Sequence, residues 1–179
     1  EYILMHALIY RTQVVRDSGM QLPEHTFYVD FIYAYQPFPW VKSMLYMDIP
    51  FYHYFIGREG QSVQTDVMIR RVAQLRLVNQ RMVEATPEPG TVPDGLYRYM
   101  IHFLAIESSV TSVFLILSKD KANYRLKDEL WADIDKASPA IGRDVRRKLV
   151  SRALNLRGSV GRWVIRRGYV VAEKVVGFN

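Results

Sequence analysis

The sequence predicts an α+β protein that is mostly helical, with a small α/β piece of few strands followed by a C-terminal helical bundle. Aromatic and β-branched runs punctuated by proline fill the first 63 residues, and they favour short strands. Apolar residues then recur at helical spacing from residue 68 onward. Between the two parts, "ATPEPGTVPDG" carries three prolines and two glycines and reads as a linker. The predicted domains are therefore 1–84 and 96–179, joined by 85–95.

The N-terminal part should alternate short strands with short helices. Residues 5–11 resemble a strand, and residues 29–35 a short helix that Pro37 and Pro39 stop. Residues 41–56 are rich in aromatic and branched side chains with an internal proline, which predicts two short strands or one bulged strand.

The C-terminal part should be entirely helical. Apolar positions between residues 68 and 82 recur every three or four residues. Residues 96–118 are apolar on most sides, which predicts a central buried helix. Amphipathic patterns predict further helices at 127–137, 142–156 and 159–176.

The central apolar segment is interrupted by charge. Its longest uncharged run, from Ser108 to Ser118, has 11 residues. Because spanning a bilayer takes about 20 apolar residues, the sequence predicts no transmembrane helix. The first residue is Glu1 and no basic-then-apolar leader follows, which suggests a processed or excised piece without a signal peptide.

The net charge of +6 is concentrated at the C-terminal end. Residues 140–179 carry eight Arg and two Lys against two acidic residues, while residues 1–139 are slightly acidic. Such a segment binds anionic lipid or nucleic acid, or is simply solvated. Only Trp163, Tyr169 and Phe178 could serve as stacking rings, and no recognition module is visible, so no nucleic-acid partner is expected.

The last predicted helix has an apolar half and a basic half. Glycines within the apolar half suggest close helix packing, so we expect that half to face the bundle. Arg162, Arg166, Arg167 and Trp163 would then face outward. An anionic membrane surface and plain solvent are the two open alternatives for this half.

Searches for known catalytic motifs find little. The chain has no Cys, no HExxH, no Walker loop and no GxGxxG. Asp133 and Asp135 form a D-x-D pattern inside a predicted helix, where side chains two residues apart point away from each other. No metal site is therefore predicted in this chain.

Asp30 is the candidate base. It lies among aromatic residues, where partial desolvation would raise its pKa and make it a better proton acceptor. The alternative is an exposed Asp in the first turn of a short helix, favoured there by the helix dipole.

Arg58, Gln61 and Ser62 offer a planar cation, an amide and a hydroxyl just before a predicted helix. That set suits a diphosphate, and the alternative is a polar turn with a helix cap. His53 lies in an aromatic stretch, either as a metal or phosphate ligand or as a packed residue.

The stretch "LPEHTFYVDFIYAYQPFPWVKSMLYMDIPFYHYFIGREGQSV" resembles the second half of the catalytic domain of bacterial family two glycosyltransferases, which have the GT-A fold. The resemblance covers residues 5–83, and "RRGYVVAEKVVGFN" is similar to the tail of longer members. It implies a hexosyltransferase-like enzyme that transfers a sugar from a nucleotide-diphospho-sugar to a glycan or lipid-linked acceptor in polysaccharide or glycoconjugate synthesis.

The resemblance also assigns roles to residues. Asp30 matches the general base, although Val29 stands where many members have Glu. The loop with Arg58, Gln61 and Ser62 matches the one that closes on the donor diphosphate, with His53 as a further contact. The acceptor pocket would be formed by Phe27, Tyr28 and Tyr33.

The family's donor-binding half, with its D-x-D site for Mn²⁺ or Mg²⁺, is expected before residue 1, so the isolated chain should be inactive and bind no metal. The enzyme is expected in the cytoplasm or at the inner face of the membrane. A non-catalytic helical module that docks on a membrane or on a partner protein is the alternative.

Overall fold

The computed structural model describes residues 2–55, 61–156 and 158–176, and the regular elements in these ranges are all helical. Two are 3₁₀ turns, Met5–Ala7 and Phe38–Trp40. The α-helices are α1 (Thr12–Asp17), α2 (Asp30–Tyr33), α3 (Thr65–Arg70), α4 (Val72–Glu84), α5 (Asp94–Leu117), α6 (Lys121–Ala137), α7 (Pro139–Arg147), α8 (Leu149–Leu154) and α9 (Gly158–Val176).

The predicted α+β class is wrong, because the described residues contain no strand and no sheet. Residues 5–11 contain the first 3₁₀ turn, and residues 41–55 have no regular secondary structure. A strand exists only when a neighbouring strand takes up its backbone hydrogen bonds. Aromatic and branched residues favour extended backbone, but no such neighbour pairs with them within the described ranges.

Helix α5 is the centre of the bundle, as predicted. It packs against α3, α4, α6, α7, α8 and α9. Residues on every side of it are buried, including Phe103, Glu107 and Leu115. A helix surrounded in this way needs apolar side chains all round, which explains its near-continuous hydrophobicity.

One hydrophobic core extends across the predicted linker. It includes Tyr28 and Tyr35 on the N-terminal side and Trp131 and Val145 on the C-terminal side. Helix α5 begins at Asp94, inside the segment predicted as linker, and Pro93 precedes it. The proline-rich segment therefore joins two parts of the same core.

Two predicted helices are each divided. The pattern at 68–82 covers α3 and α4, which are separated at Arg71, where φ is −106° and ψ is 16°. The pattern at 142–156 covers parts of α7 and α8, which are separated at Lys148. The hydrophobic period continues through both breaks, so periodicity alone does not reveal them.

Helix α5 is also long and apolar enough to cross a membrane by length and composition. Its most apolar 18-residue window has a mean hydropathy of 1.8, and 72% of that window is buried inside the protein. The core helix of a folded domain passes the same test, and this burial is what such a helix shows.

Candidate active site

Asp30 is the first residue of α2 and is half-buried. Burial raises the pKa of its carboxyl group above the ordinary value of 3.8, because the ionised form loses solvation. The residue's own backbone N–H and the nearby His6 side chain oppose this rise. Asp30 is thus a carboxylate of increased basicity that still has access to solvent.

Two tyrosines lie close enough to Asp30 for its charge to affect them. Burial, followed by the Asp30 carboxylate, raises the pKa of Tyr2. The Tyr2 ring stacks on Phe103 of α5 at 4.3 Å between centroids and lies 6.0 Å from Phe31. Burial raises the pKa of Tyr28 as well, while Arg71 lowers it and the Asp30 carboxylate adds a smaller rise. Tyr2 and Tyr28 are therefore two aromatic residues near Asp30.

The backbone at Tyr28 is strained. Its φ of +67° lies in the left-handed region, which bulky residues rarely adopt. The Tyr28 ring is buried, and its hydroxyl donates a hydrogen bond to the Ser62 carbonyl oxygen at 2.9 Å. The N–H of Phe27 donates to Gln74 Oε1 at 2.9 Å. Strain held by surrounding contacts is common at functional sites, and it occurs here two residues before Asp30.

Phe27 forms the exposed edge of this aromatic cluster. Its ring is 42% exposed and lies under the Arg71 guanidinium, whose central carbon is 3.4 Å from the ring centroid. This is a close cation–π pair. Sequence reasoning missed Arg71, because nothing in its local pattern links the junction of α3 and α4 to residue 27.

His6 was also missed. Its ring stacks on Tyr52 at 5.0 Å and on Tyr54 at 5.6 Å between centroids. Two rings of the aromatic segment 51–55 therefore pack on His6. His6 has no sequence neighbour of matching chemistry, so only the fold brings it to the Asp30 carboxylate.

The other predicted site residues lie in different surroundings. Gln61 donates from Nε2 to the Phe55 carbonyl oxygen at 2.8 Å. His53 is exposed. The Tyr33 ring packs edge-on against Tyr10 at 5.2 Å. Arg58 lies outside the described residues. Among the predicted site residues, the structure thus brings Tyr28 against the backbone of Ser62, and Phe27 and Asp30 are its neighbours in sequence.

Asp133 and Asp135 point to different helices. Asp133 lies 3.5 Å from Arg76 of α4, whereas Asp135 is held by Arg146 of α7 at 2.6 Å. The part of the chain that the structure describes contains no group of three His, Asp or Glu side chains that could hold a metal ion.

Two concave sites occur away from Asp30. A mostly apolar groove of about 360 Å³ is lined by Ile3, Phe38, Lys42, Leu96 and Tyr99, among others. A more polar one of about 330 Å³ lies between α4 and α6. Neither of these two sites includes a predicted site residue.

No family model, curated protein or solved structure matches the chain. The resemblance to glycosyltransferases therefore depends on the residues quoted above.

Proposed function

We propose that this chain supplies the acceptor-binding surface and the general base of a glycosyltransferase that uses a nucleotide-diphospho-sugar. The observation that supports this most is Asp30, a half-buried carboxylate whose pKa is raised by burial. It lies near the Tyr2 and Tyr28 rings, and the Tyr28 hydroxyl contacts the Ser62 backbone. A general base must reach the proton that it accepts, and it is most efficient when its pKa is near the working pH, so solvent access and a raised pKa both favour Asp30 for this role.

The proposed reaction is a single displacement. Asp30 takes the proton of the acceptor hydroxyl while that oxygen forms a bond to the anomeric carbon of the donor. The bond from this carbon to the diphosphate breaks, and the nucleoside diphosphate leaves. The configuration at the anomeric carbon is inverted.

The rings around Asp30 fit an acceptor sugar. Exposed aromatic faces stack on the apolar faces of pyranoses, and Phe27 presents its ring at the edge of the site. Arg71 lies over one face of that ring, and the exposed part of the ring is where the proposed acceptor would stack. In this proposal, Arg58, Gln61 and Ser62 contact the donor diphosphate, and the ligands of the Mn²⁺ or Mg²⁺ ion lie outside this chain.

The test is the Asp30→Asn variant of the full-length protein, assayed with nucleotide-diphospho-sugars. General base catalysis contributes about 10²–10⁴-fold, so kcat should fall by that factor while donor affinity changes little. Wild-type activity should rise with pH through the raised pKa of Asp30, because the base acts ionised. The matched control is Asp17→Asn, an exposed aspartate on α1, which should keep full activity. Near-native turnover by Asp30→Asn would refute the proposal.

A further inference from the structure

Helix α9 docks on the bundle through one narrow stripe. Gly161 and Ile165 are buried, and the half-buried Tyr169 packs its ring on Phe114 of α5 at 5.8 Å. The Tyr169 hydroxyl lies 2.7 Å from Thr65 Oγ1 of α3. A Cβ at position 161 would collide with the Leu156 carbonyl oxygen, so glycine is required where the segment before α9 passes close to the helix.

Two of the arginines predicted to face outward lie instead against α6. The guanidinium carbons of Arg162 and Arg166 lie 4.9 and 5.8 Å from the Tyr124 ring centroid. Arg166 also donates to the Tyr124 hydroxyl and to the Ile116 carbonyl oxygen. The prediction that the whole basic half faces outward is therefore wrong.

The outward face of α9 is instead mainly apolar. Val160, Val164, Arg167 and Val171 succeed one another at intervals of four, three and four residues, so they share one face. Val160 is 72% exposed and Val171 is 61% exposed. Trp163 flanks this row, is 60% exposed, and lies 5.9 Å from the Arg167 guanidinium carbon.

Such a face is unusual for a helix that meets only water. The solvent side of a surface helix is normally polar, and contiguous exposed apolar residues mark interaction surfaces. In the described ranges the bundle contacts α9 only on its opposite side. The α9 face, defined as Val160, Trp163, Val164, Arg167 and Val171, is therefore available to a partner.

The charge of the C-terminal end of the chain, together with Arg167 on the face itself, indicates what the partner is. Residues 140–179 carry a net charge of +8, with Arg167 in the middle of the apolar row. An anionic lipid surface offers negative headgroups above an apolar interior, so it suits both kinds of side chain at once. Amphipathic helices that combine Trp, aliphatic residues and Arg lie in that interface, and Trp is enriched at its level.

We propose that the α9 face binds anionic membranes by shallow insertion, with Trp163 and the valines in the headgroup boundary and Arg167 among the phosphates. The 19 residues of α9 form a rod of about 28 Å, which would lie along the membrane rather than across it. This inference is independent of sugar transfer, because none of its residues belongs to the Asp30 surface.

The test is sedimentation of the full-length protein with phosphatidylcholine vesicles that either contain or lack phosphatidylserine. Binding should require phosphatidylserine and weaken at high salt, because screening shortens the range of the attraction. Trp163→Gln should weaken binding about 10-fold or more, since burial of a large apolar side chain is lost. Arg167→Gln should weaken it about fivefold, which corresponds to one basic residue near an anionic surface.

Matched controls are Trp40→Gln and Arg125→Gln, which alter an exposed Trp and an exposed Arg outside α9. Both should bind like wild type, and circular dichroism should show that all variants are folded. A blue shift of Trp fluorescence on vesicle binding should disappear in Trp163→Phe.

Three results would overturn the inference: equal binding to neutral and anionic vesicles, no binding to either, or loss of binding in the controls to the same degree. If Trp163→Gln instead abolishes a concentration-dependent dimer in ultracentrifugation and leaves vesicle binding unchanged, the α9 face is a protein interface. Activity on a soluble acceptor should be unchanged in Trp163→Gln, so failure here and failure of the proposed catalytic role remain distinguishable.

Discussion

Asp30 and Glu107 are two carboxyl groups in two different regions, and both have a pKa raised mainly by burial. Asp30 lies at the aromatic N-terminal surface and keeps contact with solvent. Glu107 is completely enclosed in the bundle, where Asn79 and Thr111 donate hydrogen bonds to its two oxygens. A raised pKa is thus shared by a group that a substrate can reach and a group that none can reach. Accessibility is what separates a candidate for catalysis from a structural carboxyl group.

The two regions meet at Phe103 of α5. Its ring contacts Tyr2 and Phe31 from the N-terminal region, at centroid distances of 4.3 and 6.0 Å. It also lies 5.5 Å from Tyr35 and 6.2 Å from Tyr99. Phe103 therefore supports the wall of the Asp30 surface from inside the bundle, one helical turn before Glu107.

The largest expected effect on the free energy of unfolding comes from removing the Phe103 ring. Phe103 is fully buried, and Phe103→Ala should lower the free energy of unfolding by about 3–5 kcal/mol, because it removes apolar burial and leaves a cavity. Urea denaturation measures the change. If the N-terminal region and the bundle unfold separately in the variant, probes at Trp40 and Trp131 should give different midpoints.

The matched control is Phe55→Ala in the aromatic segment, where the ring is 69% exposed. Its effect should be within about 0.5 kcal/mol, as for surface substitutions generally. Equal losses in the two variants would contradict the division into an enclosed bundle and an open aromatic surface.

The second largest effect is a change of folding stability with pH. Burial raises the pKa of Glu107 from 4.5 to about 7. The folded protein binds the Glu107 proton more tightly than the unfolded chain does, so protonation of Glu107 stabilises the folded state. This stabilisation is complete when the pH is below the unfolded pKa of Glu107. It is lost as the pH rises through about 7. The total change corresponds to about 3 kcal/mol.

Glu107→Gln cannot ionise, so its stability should depend much less on pH between 5 and 8. Urea unfolding at several pH values measures both slopes, with Asp17→Asn as the control at an exposed carboxylate. Parallel slopes in Glu107→Gln and wild type would show that Glu107 does not titrate in this range.

The sequence supports the prediction of the bundle better than that of the aromatic region. Helix α5 follows from its own apolar residues, and α2 from the short run before Pro37 and Pro39. The strands predicted at 5–11 and 41–56 are absent from the described residues, because a strand depends on a partner, which local residue preferences cannot supply. Residue 56 lies outside the described residues. Asp30 stays a prediction, made from its aromatic neighbours in sequence.

Other features depend on contacts between distant residues. His6 and Arg71 reach the site only through the fold, over 24 and 41 positions from Asp30. The orientation of α9 was predicted wrongly because its apolar half was assigned to the bundle. In the structure a narrow row of Gly161, Ile165 and Tyr169 suffices for docking, and Tyr124 accommodates the arginines beside it. The sequence of α9 itself indicates neither its contact with the bundle through this row nor the contact of its arginines with Tyr124.

The smallest expected effect on stability comes from removing the hydroxyl of a buried tyrosine, compared with that of an exposed one. Tyr35 is fully buried, and its hydroxyl lies 2.8 Å from Thr86 Oγ1 and 3.3 Å from the Met100 carbonyl oxygen. Tyr35→Phe keeps the ring and removes only these bonds. Thr86 retains its bond to the Met82 carbonyl oxygen at 2.7 Å, so no buried hydroxyl is left without a partner. The expected loss is about 1 kcal/mol, the usual net value of one hydrogen bond.

The control is Tyr52→Phe, a ring that is 56% exposed in the aromatic segment and whose hydroxyl can be replaced by water contacts. Its stability should equal that of wild type. A double-mutant cycle of Tyr35→Phe with Thr86→Val would then isolate the hydroxyl pair, because each single change removes the same contact. Strictly additive losses in this cycle would show that the two hydroxyls do not interact. A loss of stability in Tyr52→Phe as large as that in Tyr35→Phe would contradict the distinction between an enclosed and an exposed tyrosine.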